Sequence, residues 1–427
     1  MNQLIKINNF TIIFNKTDSE TTMVEAYVNN GAIYEDKSNV GISHLLEHIV
    51  TEGWKKCKGP CSIYWSKRGV QTNASTGQTY VNYFMHGLKK YSSEMIEYIA
   101  GIAMKPLMTS KRLQKEKAAV EQELMMHKTN PELELYSELN KILFNISGLQ
   151  HQDDLDLQLK LLKQFSLNDI RKWLNKFYMP GNMIFVVSGN ISKELVKKTF
   201  NKKLKKYKED SNIQHNLDIF QLGIKTTYVK NINMKNSKII LAFPSPLSQK
   251  DKEIHFIKLF EKLINSDTTS ILFRQLREKQ DLVYNITIED SVHGYGSYIL
   301  IKTQCENKDI IKVIRICLEV LKNMSAGKLN KEKLKHIIEL YLVEYYNTCK
   351  NNTNISSLLG EQYINQINNI ENATIYTYKE NTNILKNINI DEFITFIKKL
   401  LIFANLKIVY QGKQEYTNLL SLVLRKM

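Results

Sequence analysis

The sequence predicts an α+β protein built from two structurally related domains, and three observations carry that prediction. The chain has 427 residues and 43% hydrophobic content, enough for two cores of about 200 residues each. In each half, short stretches of alternating apolar and polar residues precede long stretches with helical periodicity. A weak internal repeat relates the halves. Ile184-Phe-Val-Val-Ser-Gly189 has a counterpart in Leu406-Lys-Ile-Val-Tyr-Gln-Gly412, and Val24–Val28 parallels Lys238–Phe243. The offset is roughly 210–220 residues, one domain length, so one fold is used twice.

Taken in order, residues 4–14 and 22–30 alternate as strands, and a helix follows over roughly 40–52. Gly-Pro-Cys at 59–61 marks a loop. A short helix at 62–69 and two strands over 70–80 and 81–88 come next. Helices are expected at 92–105, 111–127, 131–146, 155–164 and 167–177, the last capped by Ser166-Leu-Asn-Asp169. The apolar strand 183–188 ends at Gly189. Residues 205–218 are polar and lack periodicity, so a linker is placed at 208–222, between an N-terminal domain 1–207 and a C-terminal domain 223–427. The second half opens with strands at 226–233 and 238–243 and a long helix at 249–265. Residues 305–403 are mostly amphipathic helix, including 331–348 and 355–368, with Met and Tyr at core spacing. His293, in His-Gly-Tyr-Gly, reads as an incidental loop residue.

The chemistry concentrates in Gly41-Ile-Ser-His-Leu-Leu-Glu-His48, where His44, Glu47 and His48 form H-x-x-E-H on the first helix. Residues four apart leave one helical face about a turn apart, a spacing that lets two imidazoles hold one Zn²⁺ at roughly 2.0–2.1 Å. Glu47 shares the face and is expected to act as a base toward water. Composition alone yields this pattern in about one such chain in a hundred. A third ligand is expected from 111–127. Glu116 and Glu123 are seven apart there, nearly on one face, with the apolar Val120 between them. Two carboxylates on a partly buried face need a cation or a proton. Zinc satisfies Glu123, and Glu116 orients the neighbouring groups. The alternative is ordinary helix surface charge.

Totals bound the rest. No run reaches the roughly 18 apolar residues of a membrane span. The start goes directly into strand-like alternation with no leader, so an intracellular protein is expected. Of five cysteines, Cys57 and Cys61 could bridge or bind a second metal, but free thiols in a turn are the expectation. A net charge of +16 could mark a nucleic-acid partner. The lysines are scattered without a basic tail or strip, and Lys and Asn enrichment matches an AT-rich coding bias, which argues against that partner.

These residues resemble the pitrilysin, insulin-degrading enzyme and mitochondrial processing peptidase family of zinc peptidases. Its pattern is H-x-x-E-H, about 75 residues, then E-x6-E with the second Glu as ligand, and here His48 to Glu123 spans 75. Tyr27–Glu35 is similar to the family's strand-Gly-x-x-x-Glu lead-in, and Phe177–Asn190 to its "Y-x-P-x-N-M, apolar strand, G-N" segment. The resemblance implies two domains, each a mostly antiparallel sheet covered by helices, facing each other as a clamshell. It implies a zinc metalloendopeptidase, one Zn²⁺ per chain on His44, His48 and Glu123, acting on unfolded peptides in an enclosed chamber, with a catalytically inactive structural or regulatory subunit as the alternative. Asn73, Ala74, Ser75 and Thr76 match the family's edge strand, to which substrate adds as a further strand. Val81-Asn82-Tyr83 departs from the family's Thr-x-Tyr. Ser270–Tyr284 resembles the "L-R-x-K-x-x-L-x-Y" segment, whose Arg277 and Tyr284 hold substrate; a guanidinium and a phenol suit a developing oxyanion. Family enzymes usually use four domains, so a homodimer or a pair with a related chain is implied. Asn-Ala-Ser-Thr in this composition also resembles viral members, which would place the protein in a host cytoplasm or virion.

Overall fold

The computed structural model describes residues 2–57, 59–207, 213, 218–265, 270–367, 372–373 and 375–425. Of the linker expected at 208–222, residues 208–212 and 214–217 lie outside that set. In chain order the elements are β1 (Asn2–Ile7), β2 (Phe10–Lys16), β3 (Thr21–Val28), α1 (Ile42–Thr51), α2 (Cys61–Ser66), β4 (Gln71–Thr76), β5 (Val81–Leu88), α3 (Ser92–Met104), α4 (Ser110–His127), α5 (Leu133–Leu143), α6 (Ser147–His151), α7 (Leu155–Gln164), α8 (Leu167–Phe177), β6 (Met183–Gly189) and α9 (Lys193–Leu204). The second half continues with β7 (Lys225–Lys230), β8 (Asn236–Ser245), α10 (Ile257–Asn265), α11 (Ile271–Phe273), β9 (Val283–His293), β10 (Gly296–Glu306), α12 (Ile310–Ser325), α13 (Lys331–Lys350), α14 (Asn352–Ile364), α15 (Tyr378–Lys386), α16 (Ile390–Leu400), β11 (Lys407–Gly412) and α17 (Thr417–Arg425).

The fold is α+β, in two compact units with one mixed sheet each. The first unit holds residues 1–130, 146–216 and 347–377; the second holds 131–145, 217–346 and 378–427. Sheet order is β1-β2-β6-β3-β5-β4 in the first and β7-β11-β8-β10-β9 in the second. Each contains one parallel pair, β2 with β6 and β11 with β7, and is otherwise antiparallel. The repeat seen in sequence has a topological meaning. β6 and β3 are neighbours in one sheet, and their counterparts β11 and β8 are neighbours in the other.

Burial explains the strand compositions. β6 and β11 are buried along their whole length; β6 reads as a near-continuous apolar run, while β11 buries Lys407 and Gln411 at either end of Ile408-Val-Tyr410. β4 has no buried residue and is polar at every position but Ala74, as befits the last strand of its sheet. In the first unit α14 packs on the sheet face through Leu359, Tyr363 and Ile364 against Ile13, Tyr27, Ile184 and Val186. Gly360 is required there, because a Cβ would lie 2.1 Å from the Tyr27 ring. The buried Glu25 carboxylate of β3 accepts from Ser356 and Ser357 of the same helix, and burial raises its pKa. In the second unit the core joins Ile239, Leu241 and Phe243 of β8 to α10, α12 and α16, and α5 covers β7 and β11.

Three local expectations are corrected. The alternation over 4–14 is a hairpin, not one strand, because Asn8 takes φ 49° in a two-residue turn between β1 and β2. His293 is no loop residue; it closes β9 beside the β9–β10 turn, is 8% exposed, and pairs with Ser291 Oγ. Cys57 and Cys61 are joined as a disulfide, with Cα atoms 5.4 Å apart across the Gly59-Pro60 turn.

Candidate metal centre

The metal-helix candidate α1 is placed by its apolar stripe. Ile42, Leu45, Leu46, Ile49 and Val50 are buried at i, i+3, i+4, i+7 and i+8, which leaves His44 and His48 on the flank. Its N-terminus has an unusual cap. Gly41 sits at φ 87°, a conformation that favours glycine, and has no side chain to offer the free N–H groups. Glu35, six residues earlier and 6% exposed, takes that role: its two oxygens accept from Gly41 N–H and Ser43 N–H at 2.9 Å each. Ser43 Oγ donates to Asn30 Oδ1, which also accepts from Trp173 Nε1 at 3.0 Å. Burial raises the Glu35 carboxyl, and the two backbone donors partly offset that.

The second helix, α4, buries Leu113, Glu116, Val120 and Leu124 along one stripe, and Thr109 caps it by accepting from Arg112 N–H. Glu123 emerges one residue before Leu124 and faces α1. Its Oε2 lies 3.6 Å from His44 Nε2 and 3.4 Å from His48 Nε2. One donor atom from each of His44, His48 and Glu123 lies within 4.8 Å of the others, the one such group among the described residues. Tetrahedral zinc with bonds of 2.0–2.1 Å requires ligand atoms about 3.3 Å apart. Two imidazoles and a carboxylate are also a donor set zinc takes. The residues present therefore fit the ion.

The surroundings support that fit. His48 turns Nε2 to Glu123 and Nδ1 to Glu116 Oε2, 3.8 Å away, the two-sided arrangement expected of an oriented ligand. Burial works to raise the Glu116 carboxyl, but His48 and Lys115 outweigh it and hold the group below its usual range. His44, with His48 and His127, holds Glu123 down at about 2. Burial opposes protonation of His48, yet Glu116, Glu47 and Glu123 outweigh it and raise the imidazole. Three carboxylates around two imidazoles leave a site short of positive charge, which either a proton on His48 or a divalent cation supplies.

Glu47 lies beside this group, 8% exposed, and burial raises its carboxyl. Its Oε2 accepts from Thr76 Oγ1 at 2.7 Å. Thr76 ends β4, so α1, α4 and the edge strand meet at one place. Asn73 turns its side chain back to its own strand, accepting from Ala74 N–H at 2.9 Å, while Ala74 and Ser75 leave the edge uncrowded. Arg277 and Tyr284 belong to the second unit and stand together there. Arg277 leaves a π-helical turn, Arg274–Glu278, donates to Asp281 at 2.7 Å, and lies 5.5 Å from the Tyr284 ring centroid. Tyr284 is 75% exposed.

Sequence reasoning missed three contacts. The Glu35 cap lay inside the Gly-x-x-x-Glu lead-in, but its target did not. His127, whose Nε2 lies 3.7 Å from Glu123 Oε1, was findable from its i+4 spacing. The Thr76 contact to Glu47 joins residues 29 apart and left no periodic signal.

Known proteins resemble this chain throughout. The profile described as insulinase (peptidase family M16) matches residues 11–152, and that described as peptidase M16 inactive domain matches 164–341. An uncharacterized zinc protease, YmxG of Bacillus subtilis, is 22% identical over 84% of this chain and 89% of its own. The mitochondrial-processing peptidase subunit beta of Caenorhabditis elegans is 19% identical over 45% of this chain and 42% of its own. Among solved structures, a protease from Helicobacter pylori shares the fold with a TM-score of 0.84 at 16% identity, over 96% of this chain and 99% of that one.

Proposed function

Because this chain belongs to the insulinase family, peptidase family M16, we propose that it is a zinc metalloendopeptidase that hydrolyses peptide bonds of unfolded peptides. The observation that carries the reading is the convergence of His44, His48 and Glu123, with Glu47 alongside and outside the ligand set. His44, His48 and Glu123 would hold the ion, and Glu116 would fix the His48 ring. A bound zinc supplies Lewis acidity, acidifying water and polarising a peptide carbonyl.

The chain's own groups supply the rest. Glu47 accepts the proton of the attacking water and returns it to the leaving amine. A substrate in extended form adds to the free edge of β4, where backbone pairing at Asn73–Thr76 binds many sequences. The small side chains there admit a second strand. Arg277 and Tyr284 grip substrate carbonyls or the developing oxyanion. The matched peptidase of C. elegans is named as a subunit, which supports a working unit of two chains, alike or related. The inactive-homologue reading draws support from the profile matching 164–341, described as an inactive domain, and from matched relatives named as a ubiquinol-cytochrome-c reductase core protein of Euglena gracilis and a cytochrome b-c1 complex subunit of Bos taurus. The proposed ligands and base, His44, His48, Glu123 and Glu47, all lie outside that span.

The test is Glu47→Gln, read for zinc content and peptide cleavage together. Full zinc with no turnover supports the reading; retained cleavage excludes it.

A further inference from the structure

We propose that Thr76 is a positioning residue for the reaction: its hydroxyl tethers Glu47 and keeps that carboxylate aimed as a base instead of becoming a fourth protein ligand. This rests on the peptidase reading above and assigns Thr76 a role through its side chain, distinct from strand pairing through its backbone.

A Glu side chain turns about three torsions, and fixing it carries an entropic cost. Carboxylates are themselves competent zinc ligands. A Glu between two ligands on one helix, beside a third carboxylate, therefore needs something to hold it off the ion. The 2.7 Å bond from Thr76 Oγ1 occupies Oε2 and leaves the other oxygen for proton transfer. Thr76 suits this task because a β-branched side chain has few χ1 choices. Its backbone is fixed as well. Directly after β4, the carbonyls of Gly77 and Gln78 accept from Ala32 N–H at 3.4 Å and Ile33 N–H at 2.9 Å. Gly31 permits that approach, since a Cβ there would lie 2.5 Å from the Gly77 carbonyl oxygen. The same 31–35 segment carries Glu35, which caps α1. The end of the edge strand and the start of α1 are thus tied to one piece of backbone, and Thr76 closes the loop at Glu47. A substrate strand added to β4 would press on the element that aims the base.

The experiment compares wild type, Thr76→Val and Thr76→Ser for zinc content, kcat and KM on a short unfolded peptide, and the visible spectrum of the cobalt-substituted protein. Valine keeps the β-branched shape and removes the hydroxyl; serine restores it. Thr76→Val is expected to bind one zinc, hold KM within about two-fold and lose about 10–100-fold in kcat, while Thr76→Ser stays within about three-fold of wild type. In the cobalt protein Thr76→Val should change the band shape, as the freed carboxylate enters the coordination shell, and Thr76→Ser should not. Wild-type kcat in Thr76→Val, a loss carried by KM, equal damage in Thr76→Ser, or identical cobalt spectra each overturn the proposal. A wild-type protein that binds zinc and cleaves nothing overturns the peptidase reading instead, and the cobalt spectra still decide the tether.

Discussion

Removing the Glu35 carboxylate is expected to loosen the metal helix at its first turn. Glu35→Ala strips the acceptors from Gly41 N–H and Ser43 N–H, both bonded at 2.9 Å in a region where Glu35 is 6% exposed. A buried donor left without a partner costs about 1–3 kcal/mol. Two such donors, less the relief from a water entering the vacated space, give about 2–4 kcal/mol. Glu35→Gln keeps one acceptor oxygen and turns an NH₂ toward the other N–H, for about 2 kcal/mol. Tryptophan fluorescence during urea unfolding is the assay, because Trp54, Trp65 and Trp173, the three tryptophans of the chain, all lie in the first unit. The second unit then unfolds unseen, which avoids treating two units as one transition. His44 stands in the helical turn that Glu35 caps, so zinc affinity should fall about 10–100-fold in parallel. If Glu35→Ala unfolds within about 0.5 kcal/mol of wild type and binds zinc equally well, the capping argument is wrong.

Other perturbations test the same frame. Gly148→Ala places a Cβ 1.9 Å from the Ala32 carbonyl oxygen and 2.5 Å from that of Glu35, both backbone, so the lead-in to α1 must move; a cost of about 3 kcal/mol or more is expected in the same fluorescence assay. Glu116→Gln should keep the fold and weaken zinc about 10–100-fold in a chelator competition, because the His48 ring loses the charge that orients it. His293 is held neutral by burial, with its pKa lowered from 6.5 to about 4. Its contribution is fully present above 6.5 and is lost as pH falls through the window from 6.5 to about 4, amounting to about 2 kcal/mol at pH 5. Hydrogen exchange of β9 and β10 at pH 5 and 7.5 reads this, and His293→Asn should flatten the difference.

The parts of this molecule that sequence made legible are those where a single residue type at a fixed spacing does the work. Helical spacing put His44, Glu47 and His48 on one face and Glu116 with Glu123 on another, because a helix converts spacing into direction, while the pairing of the two helices rested on the family resemblance. Val120 was rightly read as buried and Glu116 with it. The full burial of β6 was visible as an apolar run. What stayed hidden is what depends on a partner far along the chain. The amphipathic pattern of α14 says that a face is covered, but not that the cover is the sheet holding Glu25 and Tyr27. The same holds for α5, whose pattern does not name β11. The β9–β10 hairpin escaped because its strands carry Tyr284, Asn285, Glu289 and Asp290 among the apolar residues, which blurs alternation at a sheet edge. Thr76 was read as part of a binding strand, a backbone role, while its hydroxyl serves a helix residue 29 positions earlier.

X-ray absorption at the zinc edge of the zinc-loaded protein tests most directly that two helices converge on one cation. The account predicts one zinc per chain, two imidazole nitrogens at about 2.0–2.1 Å and carboxylate oxygen in the remaining shell, with no sulfur. Scattering from sulfur at about 2.3 Å, or zinc that washes out below one ion per chain, would contradict it.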